Sequence, residues 1–344
     1  FHLRNNFGFK IKDKLLRRDL IKSLNRLFDH GQFFMGPEVL DFEKKIAKFL
    51  NVKYALGVSS GSSALYLALK ACGIKQGDEV ITTPLSWIIT SNAIIECGAT
   101  PVFVDVADDL NINPDLIEKS ITKKTKAIVP MHYAGHMCDM NKISAIAKKY
   151  KLKIIEDNAE SIGGKYKNKI LGSIGDVSTL SFYANKIITT GEGGMAVFRK
   201  KKNSETASLI KNHGMSSKNF YYHTIAGSNY RMTNPQAAIG LAQLNRINEF
   251  YKSRKKIFDY YDKKLSSFKF IKFLPKNKWS KNSLWLYTIM IQNFKKQKRD
   301  TLIKKLLAKG IETRPGFVSF NQMKIYKKYC KGAFPYSEKI SQST

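Results

Sequence analysis

The sequence predicts an α/β protein with two domains. Between residues 54 and 198, short apolar runs alternate with helical patterns, which is typical of a mostly parallel sheet covered by helices on both faces. After about residue 245 the lysine and aromatic content rises. We therefore predict a large αβα domain over residues 1–245 and a smaller C-terminal α+β domain over 246–344. A chain of 344 residues is long enough to form two hydrophobic cores.

The N-terminal elements follow from hydrophobic spacing and from glycine and proline positions. Apolar residues recur at helical intervals between Leu15 and Leu27, and Gly36-Pro37 precedes a second amphipathic helix that reaches Leu50. The apolar run over 54–58 predicts a strand. A Ser/Gly-rich loop follows it and leads into a helix over 64–72, which Gly73 caps.

Strand and helix continue to alternate along the chain. Short apolar runs predict strands over 79–83, 101–105, 127–130, 153–156, 177–182 and 195–198, with helices over 88–97 and 143–150. In the small domain we expect a connecting helix over 245–265, a strand over 283–291 and a helix over 299–309. The chain begins with Phe1 rather than Met and stops in mid-pattern at Thr344, so we expect both termini to be truncated.

Composition restricts the class of protein. With 43% hydrophobic and 25% charged residues, and no apolar run near the roughly 18 residues of a membrane span, the chain reads as globular. Four cysteines without a CxxC pair favour a reducing cytoplasm. The net charge of +32 raises nucleic-acid or anionic-membrane binding as an alternative. Because the lysine clusters lack interleaved aromatic residues, we predict neither partner.

One lysine stands in an unusual setting. Lys186 follows the strand predicted over 177–182 and precedes a Thr/Gly-rich turn. An amine that attacks a carbonyl must be partly desolvated, so that its neutral form is populated. Asp157, which ends another apolar strand, is a candidate to hold the pyridinium nitrogen of pyridoxal 5'-phosphate (PLP) in its charged state. On local sequence alone, Lys186 also fits a solvated strand end and Asp157 a helix N-cap.

The loop Ser60-Gly61-Ser62-Ser63 is a candidate phosphate site. It joins a strand to a helix N-terminus, where backbone N–H groups and the helix dipole attract anions. The hydroxyls of Ser62 and Ser63 can add hydrogen bonds. A plain N-cap is the alternative reading.

Taken in order along the chain, these motifs resemble the DegT/DnrJ/EryC1/StrS family of PLP-dependent sugar aminotransferases. The resemblance covers residues 36–336 and includes the run over 185–194 and Glu312-Thr313-Arg314-Pro315. It implies the PLP-dependent transferase fold type I, which is aspartate aminotransferase-like. The subgroup that the chain most resembles is the perosamine-synthase-like one, which makes 4-amino-4,6-dideoxy sugar nucleotides.

The resemblance also implies roles for individual residues. It makes Lys186 the catalytic residue, which binds the cofactor covalently and moves a proton. It places Ser62, Ser63 and Ser181 at or near the cofactor phosphate and Asp157 at the ring nitrogen. Trp87 stacks on the ring, unless it is a core tryptophan, and Glu160 occupies a polar position near the substrate. Asn229 reaches into the site of a neighbouring subunit. The last contact implies a homodimer with a shared active site.

Three further residues are candidate substrate contacts. His213 touches the sugar or only supports its loop. Arg231 either serves the site or forms a structural ion pair. Arg314 is a candidate for the nucleotide or substrate phosphate.

Two other motifs carry weaker signals. His132, His136 and Cys138 lie close together, but no second cluster accompanies them, so we expect no metal. The run Gly191-Glu192-Gly193-Gly194 has neither dinucleotide-binding nor P-loop spacing, and we expect it to allow a tight backbone turn beside the cofactor.

The expected activity is transfer of an amino group from L-glutamate to a nucleotide-linked keto sugar, a 4-keto-6-deoxy hexose for a perosamine-type product, in the synthesis of surface polysaccharide such as lipopolysaccharide O-antigen. The alternatives are a 3-keto sugar nucleotide aminotransferase, a PLP-dependent sugar dehydratase, and a non-enzymatic basic protein that binds nucleic acid or an anionic surface. Relatives that deoxygenate sugars carry His where this chain has Lys186, which argues against the dehydratase.

Overall fold

A computed structural model describes residues 11–216, 218–219, 221–292 and 294–344. Residues 1–10 of the predicted large domain lie outside this description. The strands are β1 Tyr54–Val58, β2 Glu79–Thr82, β3 Thr100–Phe103, β4 Thr125–Ile128, β5 Lys153–Asp157, β6 Lys165–Tyr166, β7 Lys169–Ile170, β8 Val177–Ser181, β9 Gly194–Phe198, β10 Ile271–Phe273, β11 Ser280–Lys281 and β12 Ile289–Ile291. The helices are α1 Lys14–His30, α2 Pro37–Leu50, α3 Gly61–Ala71, α4 Ile89–Glu96, α5 Met140–Lys149, α6 Lys201–Lys211, α7 Asn234–Leu244, α8 Ile247–Leu265, α9 Lys296–Ala308 and α10 Pro335–Ser343.

A seven-stranded sheet forms the centre of the molecule, in the order β1-β9-β8-β5-β4-β2-β3. Strand β9 is antiparallel to both of its neighbours, β1 and β8. The remaining neighbours pair in parallel. Strands such as β9 are buried along their whole length, because helices cover the sheet and every position needs an apolar or small side chain. The predicted mostly parallel α/β architecture is confirmed.

The C-terminal part is attached to the large part by shared apolar clusters. Leu274, Met290 and Ile340 pack with Leu85 and Met131. Strand β11 also pairs with β6, and β10 pairs with β12 in a separate two-stranded sheet. Helix α8 begins two residues after the predicted boundary at 245, and the division into two domains stays a prediction.

The strand predicted over 283–291 was wrong for most of its length, because only Ile289–Ile291 is a strand. The Asn282 carboxamide oxygen accepts the backbone N–H of Leu284 at 2.5 Å, and Leu284 has a left-handed backbone with φ 63°. A side chain that takes a backbone donor in this way replaces a ladder hydrogen bond with a turn. The alternation of side chains therefore breaks at this point.

The sequence reading also missed elements. Helices α6, α7 and α10 and the small sheet β11-β6-β7 were not predicted. A signal for α7 was available, since Thr233 and Gln236 form a capping box with Pro235 in the first turn. Among the described residues, no helix combines the length and the apolar composition required to span a bilayer.

Candidate active site

The candidate residues meet at the carboxyl ends of β1, β5 and β8. These strands run in the same direction, so the segments that leave them lie at one edge of the sheet. Ser181 at the end of β8 is opposite Gly194 of β9, which in turn is opposite Val58 at the end of β1. Asp157, at the end of β5, pairs with Thr179 of β8. Three motifs far apart in sequence therefore converge.

The Ser/Gly loop after β1 forms the first turn of α3. Helix α3 begins at Gly61, and the Ser60 hydroxyl is the N-cap, accepting the backbone N–H of Ser63 at 3.1 Å. The buried Ser63 hydroxyl bonds Ser59 and Ser60 at 2.8 and 2.9 Å. Ser62 is exposed at the helix N-terminus. The N-cap thus falls on Ser60, and Ser62 is the hydroxyl that remains open to a ligand.

Two glycines allow the backbone of this loop to touch the neighbouring strands. A Cβ atom on Gly61 would lie 2.9 Å from Cβ of Ser181, and one on Gly194 would lie 2.7 Å from the backbone nitrogen of Gly61. Any side chain at either position would displace the loop. The close approach places Ser181 against the N-terminus of α3, where a phosphate would be bound. The expected tight turn over 191–194 is also seen, since Gly191 and Gly193 have φ values of 81° and 152°.

Lys186 lies in a turn just after β8. Its backbone N–H donates to the Tyr183 carbonyl at 2.9 Å, and its side chain is partly buried. Burial lowers the pKa of the amine, while the nearby carboxyl groups of Glu160 and Asp157 act in the opposite direction. The lysine is therefore not at a solvated strand end, and burial moves the pKa of its amine downward, the direction that a nucleophilic amine requires.

Asp157 is buried and holds hydrogen bonds on both oxygens. Its Oδ2 accepts the Thr90 hydroxyl at 2.8 Å and its Oδ1 accepts the backbone N–H of Ala159 at 3.1 Å. Burial raises the pKa of Asp157, against the effect of the Thr90 hydrogen bond. The N-cap alternative is wrong, because no helix starts between α5 and α6 in the described chain. No ion pair within 4 Å involves this carboxylate among the described residues, so a cationic ligand would suit it.

Glu160 is a second buried carboxyl group beside Lys186. Its Oε2 accepts the backbone N–H of Ala134 at 2.8 Å. Burial raises the pKa of Glu160, and the charge of Lys186 opposes that rise. The site thus holds one amine and two carboxyl groups in a largely buried environment, where the charge of the amine and the charges of the carboxyl groups affect each other's pKa.

Trp87 is 59% exposed, so the reading as a core tryptophan is wrong. Its ring centroid is 6.2 Å from that of Phe317, whose ring is 5.4 Å from Tyr133. An open indole face beside other aromatic rings can accept a flat ligand. Stacking of Trp87 on the cofactor stays a prediction.

Asn229 and Arg231 lie alongside the end of β1. The Ser59 N–H donates to the Tyr230 carbonyl at 2.9 Å, and Arg231 forms a bridge with Val58. The Arg231 guanidinium donates to the amide oxygen of Asn212 at 2.5 Å, and no carboxylate lies within 4 Å of it in the part of the chain that the structure describes. The structural ion pair suggested for Arg231 is therefore absent there. Asn229 is exposed, and its predicted reach into a second subunit stays a prediction.

The two remaining substrate candidates lie on exposed segments. His213 has a left-handed backbone with φ 60°, and its carbonyl accepts the His223 ring N–H at 3.0 Å. This arrangement supports the loop without using the His213 ring. Arg314 is exposed and pairs with Glu312 at 3.0 Å. Substrate contact by either residue stays a prediction.

Two members of the histidine and cysteine cluster are joined by a hydrogen bond. His132 is fully buried, its Nδ1 accepts the backbone N–H of Cys138 at 3.1 Å, and its Nε2 lies 3.6 Å from a Glu156 oxygen. Within the described ranges, no group of three or more His, Cys, Asp or Glu side chains could hold a metal ion.

Two neighbours of the candidate residues were not predicted from the sequence. Thr90 bonds Asp157 from 67 positions away. Trp285 places its ring centroid 3.7 Å from the Lys186 amine. No local sequence pattern marks Thr90 as a partner of Asp157. The position of Trp285 was missed because the strand predicted over 283–291 does not include the turn that brings its ring to Lys186.

Comparison with known proteins extends over almost the whole chain. A model of the DegT/DnrJ/EryC1/StrS aminotransferase family matches residues 14–344. The GDP-perosamine synthase of Escherichia coli O157:H7 is 43% identical over 298 residues, which are 86% of this chain and 81% of the relative. The GDP-perosamine synthase of Caulobacter vibrioides is 41% identical over 294 residues, which are 85% of this chain and 79% of the relative.

A solved structure gives the same result for the fold. Spr1654 from Streptococcus pneumoniae, in its PMP form, matches with a TM-score of 0.90 at 26% identity, covering 95% of this chain and 88% of that one. The same protein has been solved in a PLP form. The fold type predicted from the sequence is confirmed, and so is the predicted cofactor.

Proposed function

We propose that this chain, which belongs to the DegT/DnrJ/EryC1/StrS aminotransferase family, transfers an amino group from L-glutamate to the ketone of a nucleotide-linked 4-keto-6-deoxy sugar. The observation that carries the proposal is the partly buried amine of Lys186 beside two buried carboxyl groups, Asp157 and Glu160. Such a set can bind a carbonyl cofactor and move protons next to it.

The residues at the three strand ends fit PLP. The N-terminus of α3, with Ser62 and the adjacent Ser181, would hold the phosphate. The buried carboxylate of Asp157 would hold the ring nitrogen, and the open face of Trp87 would cover the ring. When bound, PLP supplies a carbonyl that condenses with amines and a ring that withdraws electrons from the carbon attached to them.

The protein's own contribution is to place protons. Lys186, with its lowered pKa, accepts a proton at Nζ and returns it to the neighbouring carbon of the reacting molecule. Asp157 would keep the ring nitrogen charged, because a carboxylate next to it stabilises the protonated form of the nitrogen. Thr90 fixes the orientation of that carboxylate through Oδ2.

Similarity to relatives favours a GDP-linked sugar as acceptor, and the charge of the chain favours a sugar nucleotide in general. The two GDP-perosamine synthases above share more than 40% identity with the chain, and perosamine is a 4-amino-4,6-dideoxy sugar. A net charge of +32 also attracts the diphosphate of a sugar nucleotide. We place the product in surface polysaccharide, such as the O-antigen of lipopolysaccharide, and the reaction in the cytoplasm, where the four free cysteines are stable.

We also propose a homodimer with a shared active site. Phe33, Phe34 and Met35 are 53%, 62% and 63% exposed. They lie beside the site, since Phe34 bridges to Thr233 and its ring is 6.0 Å from the Arg231 guanidinium. Three consecutive exposed apolar side chains are the kind of surface that a second copy of the chain can cover. A second copy that covers it would bring Asn229 to the neighbouring site, and a Phe34→Asp variant should then sediment as a monomer and lose activity.

The proposal is tested by visible absorption of the purified chain with PLP, before and after glutamate. Wild type is compared with Lys186→Ala and with Lys201→Ala, a matched change at a lysine that is 73% exposed. We expect wild type and Lys201→Ala to gain an absorption band that glutamate bleaches, and Lys186→Ala to show neither. Incubation with glutamate and a GDP-linked 4-keto-6-deoxy sugar should then yield the amino sugar by mass spectrometry.

The outcomes separate the alternatives. A bleached band without amination of the 4-keto sugar, but with amination of a 3-keto sugar nucleotide, would favour the C3 enzyme. An absorption band that survives Lys186→Ala would overturn the assignment of the lysine. Absence of any band, together with a salt-sensitive gel shift, would favour the basic binding protein.

A further inference from the structure

The Lys186 amine lies over the face of a tryptophan from the C-terminal part of the chain. Its Nζ atom is 3.7 Å from the centroid of Trp285. A cation over an indole is attracted by the ring quadrupole, more strongly where water is excluded. Trp285 is only 7% exposed and packs in a cluster with Phe182 and Ile187. The contact between amine and ring is therefore shielded from solvent.

The indole is held in this position from two sides. Its Nε1–H donates to the backbone carbonyl of Asn185 at 3.0 Å, one residue before the lysine. On the other side, the Arg254 guanidinium of α8 donates to the carbonyl oxygens of Leu284 and Trp285 at 3.2 and 2.7 Å. The ring cannot leave the amine without breaking its bond to Asn185, and Arg254 holds the backbone that carries the ring.

The segment that carries the indole is tied to the carboxyl side of the site as well. The Ser283 hydroxyl donates to the Glu160 carbonyl at 2.9 Å, and the Ser283 N–H donates to the Gly135 carbonyl at 3.1 Å. The left-handed backbone of Leu284 then turns Trp285 inward. Residues 283–285 thus connect Glu160 to the Lys186 turn.

Three influences act on the amine. Burial favours its neutral form, while the carboxyl groups of Glu160 and Asp157 favour the ammonium. The indole face also favours the ammonium, but it brings no negative charge and no proton of its own. It can therefore stabilise the charged lysine without competing for the proton that the lysine carries.

We propose that Trp285 is a positioning residue for Lys186, whose indole face holds the amine toward Glu160 and Asp157 and stabilises it while it carries a proton. The role of the carried proton rests on the proposed function, whereas the contact itself does not. The Asn185 carbonyl fixes the ring and Arg254 fixes the backbone that carries it, so the C-terminal part of the chain supplies one wall of the reactive centre.

The test measures the titration of Lys186 in the full chain without added cofactor. Acetic anhydride labels neutral amines, and mass spectrometry of the peptide that contains Lys186 follows its labelling rate from neutral to strongly alkaline pH. Trp285→Leu removes the ring but keeps apolar bulk, and Trp285→Phe keeps a weaker ring without the N–H. Trp279→Leu is the matched control, because Trp279 packs on Tyr166 instead, with ring centroids 5.0 Å apart.

We expect the labelling midpoint of Lys186 to fall by about 0.4–1.5 pH units in Trp285→Leu, because the ammonium loses its cation–π partner. Trp285→Phe should show a smaller fall, and Trp279→Leu should match wild type. If Trp285→Leu does not fold, the fall in Trp285→Phe decides the question.

An unchanged or raised midpoint in the folded Trp285 variants would overturn the proposal. Failure of the proposed function would be seen separately, as wild-type protein whose PLP absorption does not depend on Lys186. In that case the midpoints would still decide whether Trp285 positions the amine.

Discussion

Thr90 and Ser91 are adjacent buried hydroxyls on α4 with opposite hydrogen-bonding states. They are 1% and 0% exposed. Thr90 donates to Asp157 Oδ2 at 2.8 Å and lies 2.9 Å from the Ser86 hydroxyl. The Ser91 hydroxyl has no hydrogen-bond partner among the described residues. Replacing each in turn therefore isolates the hydrogen bond to the carboxylate from the simple loss of a buried hydroxyl.

The expected cost of Thr90→Val follows from what it leaves behind. A hydrogen bond to an ionised acceptor contributes about 1.5–3 kcal/mol, and the change also leaves the Ser86 hydroxyl without this partner. We expect the free energy of unfolding at neutral pH to fall by about 2–3 kcal/mol. Ser91→Ala removes a group that bonds nothing, so its effect should stay within about 0.5 kcal/mol.

The pH dependence has a definite sign. Burial raises the pKa of Asp157 above its ordinary value of 3.8, so the energetic penalty of this buried carboxylate applies as the pH rises through its folded-state pKa. Loss of the Thr90 donor raises that pKa further. Below its folded-state pKa, Asp157 is neutral in the folded protein and Thr90 makes only a neutral hydrogen bond of about 0.5–1.5 kcal/mol. The deficit of Thr90→Val should therefore shrink by about 1 kcal/mol on acidification.

Urea unfolding followed by circular dichroism measures both variants at neutral and mildly acidic pH, in cofactor-free protein so that ligand binding does not add to stability. Equal denaturation midpoints for Thr90→Val and Ser91→Ala at neutral pH would refute the reasoning. A Thr90→Val deficit that grows toward acid would refute the role assigned to the charged carboxylate.

Two further predictions concern the same site. Burial raises the pKa of Glu160 above 4.5, so Glu160→Gln should increase the unfolding free energy at about pH 8 by about 1 kcal/mol. The unfolding free energies of variant and wild type should become equal as the pH falls toward 4.5. The same variant should lower the labelling midpoint of Lys186. Gly194→Ala places a Cβ 2.7 Å from the Gly61 nitrogen. The overpacking should lower the free energy of unfolding by about 1–3 kcal/mol. It should also weaken PLP binding about tenfold or more, which equilibrium dialysis measures. Gly73→Ala is its control, with φ 83° but open space around it: it should lose about 1 kcal/mol and keep the PLP affinity of wild type.

The strands that build the site were predictable because their signals are local. The run over 54–58 matches β1 at both ends, and β5 and β8 differ from prediction by one residue each. Short apolar runs next to glycine and serine clusters suffice for such elements. Helix α6 was missed because only Ser204, Ala207 and Ile210 of its eleven residues are buried, which leaves little apolar periodicity to read.

The sequence by itself determined the α/β class and the Lys186 turn, and it supplied the candidate phosphate loop and the candidate acid Asp157, since each is a short motif with its own chemistry. Only the tertiary structure decided which residues surround the lysine. Thr90 meets Asp157 across 67 positions, and Trp285 reaches the Lys186 turn through the carbonyl of Asn185, 100 positions away. Such partners depend on the order of strands in the sheet and on one left-handed residue at Leu284. Both are set by packing between distant segments, which leaves no periodic trace in the local sequence.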